Sequence, residues 1–96
     1  MKLTIGIPVY NGEKYISRCI DSIAKEYEAV KDKIELELLI VNDGSKDSSE
    51  TILKGYREKL SYLKVISQEN RGLAHVRRVT LEEASGDYLW FVDVDD

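Results

Sequence analysis

The chain has 96 residues, of which 43% are hydrophobic and 33% charged, which fits one small folded domain and excludes a disordered segment. A formal net charge of -4 provides no basic surface, so we expect no nucleic-acid partner. The single cysteine, Cys19, excludes an internal disulfide and a cysteine-based zinc cluster, and we expect a cytoplasmic location.

The first part of the chain predicts two strands with a helix between them. Apolar and β-branched residues predict a strand over Leu3–Val9, which contains a proline near its end. Apolar side chains at helical spacing up to Tyr27 predict an amphipathic helix that starts near Asn11 as its N-cap. A nearly continuous apolar run predicts a second strand over Leu36–Val41 with both faces covered.

The middle of the chain predicts a second helix and a third strand. Asp47, with Glu50 three residues later, resembles a capping box, and an apolar stripe continues the helix to Leu60. A shorter and more exposed strand is predicted over Tyr62–Ile66.

The last part predicts a third helix, capped by Asn70 and ended by Gly86, and then the most apolar strand, Tyr88–Val92. The order β-α-β-α-β-α-β predicts an α/β fold with a Rossmann-like, doubly wound, mostly parallel sheet. The chain stops at Asp96 directly after a strand, so we expect residues 1–96 to be a truncated piece of a longer protein. An exposed sheet edge would then allow self-association.

Polar residues follow three of the predicted strands: Tyr10–Glu13, Asn42–Ser45 and Asp93–Asp96. In open parallel sheets, ligands bind beyond the carboxyl ends of the strands, near the point where the strand order reverses. These loops are therefore the expected ligand site.

The terminal acids are candidate metal ligands. Asp93 and Asp95 are two residues apart and would point to the same side of a strand. Their mutual repulsion is offset by a cation, and Mg²⁺ or Mn²⁺ prefers such oxygen ligands together with substrate phosphates. The alternative is an acidic turn exposed to solvent.

Each of the other candidate site residues has both a structural and a ligand-binding interpretation. Asp43 suits a turn before a helix, and it also suits acceptance of a hydrogen bond from a base. Tyr10 could stack on a base or pack at a strand end. Arginines of the third helix form either a solvated face or a diphosphate contact.

Four segments, taken together, carry a family resemblance. They are Ile5–Glu13, Val41–Ser45, Gln68–Leu73 and Gly86–Asp96, and they match in order and spacing over essentially the whole chain. In these segments the sequence resembles family 2 glycosyltransferases. The resemblance implies the N-terminal half of a GT-A fold that binds a nucleotide sugar, most often a UDP-sugar.

The resemblance also implies roles for individual residues. Pro8, Tyr10 and Glu13 would border the base and ribose, and Asp43 would contact the uracil edge. Arg77 would lie near the phosphates, and Asp93 would approach the ribose or sugar. Asp95, with Asp96 adjacent, would ligate Mn²⁺ or Mg²⁺. Three positions depart from the family pattern. Asn42 replaces an Asp, Arg78 an Asn, and Thr80 a Gly.

The implied reaction is attack of an acceptor hydroxyl on the anomeric carbon, with inversion, as the diphosphate leaves. The acceptor saccharide or lipid-linked glycan and the catalytic base would bind outside residues 1–96, so this piece should be inactive alone. The full-length protein could associate with a membrane.

Two other functions are compatible with the layout. One is a non-catalytic nucleotide- or metal-binding module. The other is a nucleotidyltransferase, which would be expected to carry a Gly-, Arg- or Lys-rich loop after the first strand, where Pro8–Glu13 stands. The sequence also lacks the glycine-rich motifs of dinucleotide-binding dehydrogenases and phosphate-loop NTPases.

Overall fold

Four parallel strands alternate with three helices along residues 1–95, which the computed structural model describes. The elements are β1 (Lys2–Val9), α1 (Ile16–Glu28), β2 (Glu35–Asp43), α2 (Ser49–Lys59), β3 (Leu63–Gln68), α3 (Leu73–Glu83) and β4 (Tyr88–Phe91). The strand order across the sheet is β3-β2-β1-β4, and all neighbouring strands are parallel. The predicted Rossmann-like α/β sheet is confirmed, and its strand order reverses between β1 and β4.

Helices cover both faces of the two central strands. On one face, Ile7 of β1 and Leu38 of β2 pack with Ile16 of α1 and Leu53 of α2 in one buried apolar cluster. The next side chains along each strand point to the other face, where α3 contacts both β1 and β2. The apolar run of β2 is buried throughout, as expected for a strand between two layers of helices.

Helix α3 packs unusually close to β1. A Cβ atom at Gly6 would lie 2.6 Å from Cγ2 of Thr80, so this position of β1 needs glycine. Thr80 is 1% exposed, and its hydroxyl donates to the carbonyl oxygen of Val76 at 2.7 Å. Thr80, a departure from the family pattern, therefore fills the space that Gly6 leaves.

The predicted start of α1 is wrong, because Asn11 bonds to a neighbouring loop instead of capping the helix. Helix α1 begins at Ile16, with Tyr15 as its N-cap. Asn11 has a φ of 51°, and its side-chain oxygen accepts a hydrogen bond from the N–H of Lys46 at 2.8 Å. Asparagine tolerates this left-handed conformation because its side chain can bond locally.

The predicted capping box of α2 is also wrong. The N-cap is Ser48, one residue after Asp47. In a capping box, the glutamate three residues on accepts from the backbone N–H of the cap. Here the N–H of Ser48 donates to Oε2 of Glu13 at 3.1 Å, so the carboxylate comes from the loop after β1 and not from Glu50.

Helix α3 begins later than predicted. Its N-cap is Gly72, which has a φ of 91°, whereas the side-chain amide of Asn70 donates to the carbonyl oxygen of Asp43 at 3.1 Å. The helix ends at Glu83, so Gly86 does not terminate it as predicted.

Gly86 belongs instead to a hydrogen-bond network at the amino end of the sheet. Its N–H donates to Oγ1 of Thr4 at 2.9 Å, and the Thr4 hydroxyl donates to Glu37 at 2.8 Å. The backbone N–H and the hydroxyl of Ser85 donate to the same carboxylate, each at 2.9 Å. Burial raises the pKa of Glu37, but the bonds from Ser85 and Thr4 lower it by more, so the pKa lies below its ordinary value.

Strand β4 forms one edge of the described sheet and exposes aromatic side chains. Tyr88 and Trp90 are 64% and 60% exposed, and the strand ends at Phe91, one residue before the predicted end. Self-association through this edge stays a prediction. Within residues 1–95, no helix has the length and apolar character needed to cross a membrane.

Candidate functional site

A cavity of about 420 Å³ opens at the carboxyl ends of β1 and β4. It lies where the strand order reverses, which is where open α/β sheets bind ligands. Its lining consists of Pro8, Val9, Tyr10, Asn11, Gly12, Tyr15, Asp43, Leu73, Val76, Asp93, Val94 and Asp95. The predicted site residues Pro8, Tyr10, Asp43, Asp93 and Asp95 are all among them.

Of the other predicted site residues, Glu13 and Arg77 do not line this cavity. Glu13 lies on the loop beside it, and its carboxylate bonds to the backbone of Ser48. Arg77 is exposed on α3. Asp96 lies outside the described residues.

Asp43 is the most strongly held of the cavity acids. It is 4% exposed, and its carboxylate accepts hydrogen bonds from the side chain of Gln68 at 3.0 Å and from the N–H groups of Arg71 at 2.8 Å and Gly72 at 3.0 Å. Burial raises the pKa of this carboxyl, but the bonds from Gln68, Arg71 and Gly72 lower it by more, so its pKa lies below the ordinary value. Asp43 is therefore an ionised hydrogen-bond acceptor at neutral pH.

The register of the sheet and one glycine place these donors around Asp43. Gln68 is the partner of Asp43 in the pairing of β2 with β3, because β3 runs two residues beyond its predicted end at Ile66. Gly44 has a φ of 71°, and a Cβ atom there would lie 2.5 Å from the backbone nitrogen of Asn70. The segment before α3 can therefore close over the end of β2.

Gln68 is a functional candidate that sequence reasoning missed. It lies in one of the four family segments, but its contact with Asp43 depends on the extension of β3. Tyr15 was also missed, because helical spacing places it in the buried stripe of α1, whereas it is 43% exposed and lines the cavity.

Asp93 and Asp95 reach the cavity from a turn and not from a strand. Since β4 ends at Phe91, the predicted alternation along the strand does not apply to them. Val94 between them packs against the apolar core, and both acids are exposed and line the same cavity. The half-buried Val94 thus anchors the turn that carries the two acids.

These two acids fit a divalent cation that takes its remaining ligands from a substrate. Residues 1–95 contain no cluster of three or more His, Cys, Asp or Glu side chains able to hold a metal ion. Mg²⁺ and Mn²⁺ sites in phosphate-binding proteins often have one or two carboxylates and use phosphate oxygens and water for the rest. The donor chemistry of Asp93 and Asp95 suits that arrangement.

Tyr10 provides a flat surface at the cavity rim. It is 51% exposed, directly after the buried Val9 at the end of β1. An aromatic ring with one open face can stack on a planar base. The partly buried Pro8 lies at the same end of β1 and restricts the backbone there.

Asn42, the departure from the family pattern beside Asp43, is 3% exposed. Its Oδ1 atom has no hydrogen-bond donor among the described residues. An ionised carboxylate in this position would need such donors, and a neutral amide costs less to bury. The chain therefore carries the negative charge at the end of β2 on Asp43.

The chain is similar to known proteins over nearly its whole length. The model of the family described as "Glycosyl transferase family 2" matches residues 4–96. Glycosyltransferase GlyA of Streptococcus pneumoniae is 41% identical over 95 residues, which are 99% of this chain and 13% of that protein.

Two solved structures have the same fold. The structure of S. aureus TarS in complex with UDP matches with a TM-score of 0.84 and 38% identity, over 99% of this chain and 28% of that one. The mannosyltransferase PcManGT from Pyrobaculum calidifontis, in complex with GDP-Man and Mn²⁺, matches with a TM-score of 0.84 and 28% identity, over 97% of this chain and 27% of that one.

The sheet order, the cavity at its reversal point and the sequence match agree with one another. The chain spans 13% of GlyA and 28% of the TarS structure, so the match concerns one part of those proteins. In this chain the family model matches residues 4–96. The chain belongs to glycosyl transferase family 2.

Proposed function

We propose that the chain is the donor-binding part of an inverting glycosyltransferase that transfers a sugar from a UDP-sugar to an acceptor hydroxyl. One observation carries the proposal. The cavity holds a fixed, ionised acceptor, Asp43, together with a pair of acids, Asp93 and Asp95. This combination suits a ligand with a hydrogen-bond-donating base and a diphosphate.

Asp43 would select the base. A carboxylate can accept hydrogen bonds but cannot donate them, and uracil offers the N3–H donor on its pairing edge. Cytosine has an acceptor at that position, so it would place two acceptors face to face. Tyr10 would stack on the base that Asp43 reads. The UDP bound in TarS supports uracil as the base.

Asp93 and Asp95 would hold the diphosphate end of the donor. Two exposed carboxylates alone would repel it, so a bound Mn²⁺ or Mg²⁺ would supply the positive charge that stabilises the leaving diphosphate. We propose Asp95 as a direct ligand, Asp96 beside it, and Asp93 near the ribose or sugar. The complex of PcManGT with GDP-Man and Mn²⁺ supports the use of a divalent cation together with a nucleotide sugar.

Backbone groups near the cavity support the need for a cation. Helix N-termini often bind phosphate through unpaired N–H groups. Here the N–H groups of Arg71 and Gly72, at the start of α3, donate to Asp43. Those of Asn11 and Gly12, before α1, donate to Ser45 and Ser49. The exposed Arg77 is the proposed second positive group near the diphosphate.

The transfer step would use residues of the whole protein beyond this chain. The acceptor hydroxyl would attack the anomeric carbon opposite to the leaving diphosphate, and a general base would take the hydroxyl proton. An acceptor saccharide or a lipid-linked glycan is the proposed partner. The described cavity would hold the donor and stabilise the departing UDP.

Calorimetric titration of the chain with UDP, with and without MnCl₂, tests the proposal. We expect UDP to bind more tightly with Mn²⁺, and Asp95→Asn to remove that gain. Asp32→Asn is the matched control, because Asp32 lies in the loop before β2, at the opposite end of the sheet. Metal-independent affinity would contradict the metal role, and equal affinities for UDP and CDP would contradict base selection by Asp43.

A further inference from the structure

Two loops at the cavity rim are joined by hydrogen bonds between backbone and side chains. They are residues 10–15, between β1 and α1, and residues 44–48, between β2 and α2. The N–H of Asn11 donates to the hydroxyl of Ser45 at 2.9 Å, and the N–H of Lys46 donates to the side-chain oxygen of Asn11 at 2.8 Å. Each loop therefore offers a donor to the other and accepts one in return.

The same reciprocal pattern recurs two residues further on. The N–H of Glu13 donates to Oδ2 of Asp47 at 3.2 Å, and the N–H of Ser48 donates to Oε2 of Glu13 at 3.1 Å. The other oxygen of Asp47 accepts from the N–H of Ser49 at 2.9 Å. Both carboxylate oxygens of Asp47 thus accept a hydrogen bond, one from the loop after β1 and one from the first residue of α2.

A buried bond lies at the centre of this arrangement. The N–H of Gly12 donates to the hydroxyl of Ser49 at 2.9 Å, and Ser49 is fully buried. Gly12 is buried as well, and it lines the cavity. We call the set of Asn11, Gly12, Glu13, Ser45, Asp47 and Ser49 the loop clamp.

The loop clamp fixes a backbone conformation that the chain would otherwise visit rarely. Asn11 has a φ of 51°, in the left-handed region that is disfavoured for residues other than glycine. Such conformations persist when surrounding bonds determine them, and they concentrate at binding sites. Tyr10 directly precedes Asn11, so the clamp also fixes the position of the Tyr10 backbone at the cavity rim.

We infer that Glu13, Asp47 and Ser49 are positioning residues for the nucleotide, which hold the Tyr10–Gly12 wall of the cavity in its binding conformation. This inference rests on the proposed function and gives Glu13 a different role from the base and ribose contact that the family resemblance implies. A loop that is ordered before binding loses less conformational freedom when the ligand binds. Glu13, Asp47 and Ser49 thereby strengthen binding of the nucleoside diphosphate, although none of the three lines the cavity.

Glu13 offers a test in which the conservative variant discriminates between roles. Glu13→Gln keeps an oxygen that can accept from the N–H of Ser48, whereas Glu13→Ala removes it. We expect Glu13→Ala to weaken UDP binding about fivefold, a typical effect of one hydrogen bond, and Glu13→Gln to change it less than about twofold. Equal weakening by both variants would overturn the inference, because it would indicate a direct role of the charge.

Asp47→Asn tests the other half of the clamp. The new amide group must face the N–H of either Glu13 or Ser49, so one bond becomes a donor–donor contact. We expect weaker UDP binding and faster amide hydrogen exchange at residues 11–13, with unchanged exchange in the core of β2. Ser48→Ala is the control, because its backbone N–H remains and its hydroxyl makes no cap bond within the described residues.

A purely structural role would give a different result. Leu60→Ala removes a partly buried side chain at the end of α2, remote from the clamp, and provides a variant of reduced stability for comparison. If Leu60→Ala weakens UDP binding as much as Glu13→Ala at matched stability, the clamp has no positioning role. If exchange at residues 11–13 accelerates while UDP affinity is unchanged, the inference also fails. Absence of UDP binding to the unmodified chain would instead overturn the proposed function, and with it this inference.

Discussion

Replacement of Asp43 by asparagine tests both the fold and the site. The carboxylate accepts three hydrogen bonds, from Gln68, Arg71 and Gly72, in a position that is 4% exposed. The asparagine side chain would keep the shape of the carboxylate but would turn an amide group toward at least one of these donors. Loss of one bond to a charged group, with a buried donor left unsatisfied, predicts a decrease of about 2–4 kcal/mol in the free energy of unfolding. That is a large part of the typical stability of a small domain.

The pH dependence of the same variant gives a sharper check. Because the pKa of Asp43 is lowered in the folded protein, its ionised form stabilises the fold above the unfolded pKa, about 3.9. That stabilisation is lost as the pH falls through the lower folded pKa. We therefore expect the stability difference between the wild type and Asp43→Asn to be largest at neutral pH and to shrink in acid below about pH 4.

Urea denaturation followed by circular dichroism at several pH values provides the measurement. Asp87→Asn is a suitable control, since the Asp87 carboxylate accepts one backbone bond, from the N–H of Lys2, in an exposed position. It should cost less than about 1 kcal/mol. A loss in Asp43→Asn no larger than in the control, or a difference that does not depend on pH, would refute the assignment of Asp43 as a buried ionised acceptor.

Glycine substitutions supply the remaining predictions. Gly44→Ala should destabilise the chain by about 1–3 kcal/mol, because the φ of 71° is strained for alanine and the Cβ atom would lie 2.5 Å from the backbone nitrogen of Asn70. Gly55→Ala, in an open position on α2, should instead stabilise the chain by up to about 1 kcal/mol. Gly6→Ala should cost about 1–3 kcal/mol through contact with Cγ2 of Thr80, and Thr80→Ser, which lacks that carbon, should recover part of the loss. Thermal and urea unfolding measure the stability of all four single variants and of the double variant Gly6→Ala/Thr80→Ser. If the losses in the double variant are the sum of the losses in the two single variants, the contact between position 6 and Thr80 is contradicted.

The order of the elements could be predicted from the sequence because the spacing of apolar residues indicates which side of each helix or strand is buried. The continuous apolar run of β2 and the amphipathic stripe of α1 each predict the correct element. The placement of the loops at one end of the sheet then follows from topology. Consequently Asp43, Asp93 and Asp95 could be assigned to one site before their surroundings were known.

The ends of the helices could not be predicted, because their bonds come from distant parts of the chain. Asn11 and Asn70 have the side chain of a helix cap, but they bond to Lys46 and Asp43, respectively. The separation in sequence is 35 residues for the first pair and 27 for the second. Local patterns contain no information about such partners, which appear once the strands are paired. The role of Gln68 was missed for the same reason.

The network of Thr4, Glu37, Ser85 and Gly86 has a consequence at the opposite end of the sheet. A slip of β4 by one residue would displace the turn with Asp93 and Asp95 by about 3.3 Å and reverse the faces of its side chains. A short strand of four residues has few ladder bonds of its own to prevent this. The network fixes the residue at which β4 starts, and it thereby sets how far Asp93 and Asp95, which follow β4, extend into the cavity. Substitutions at the ligand end of the sheet should therefore leave the register of β4 unchanged, because the network that holds this register lies at the other end.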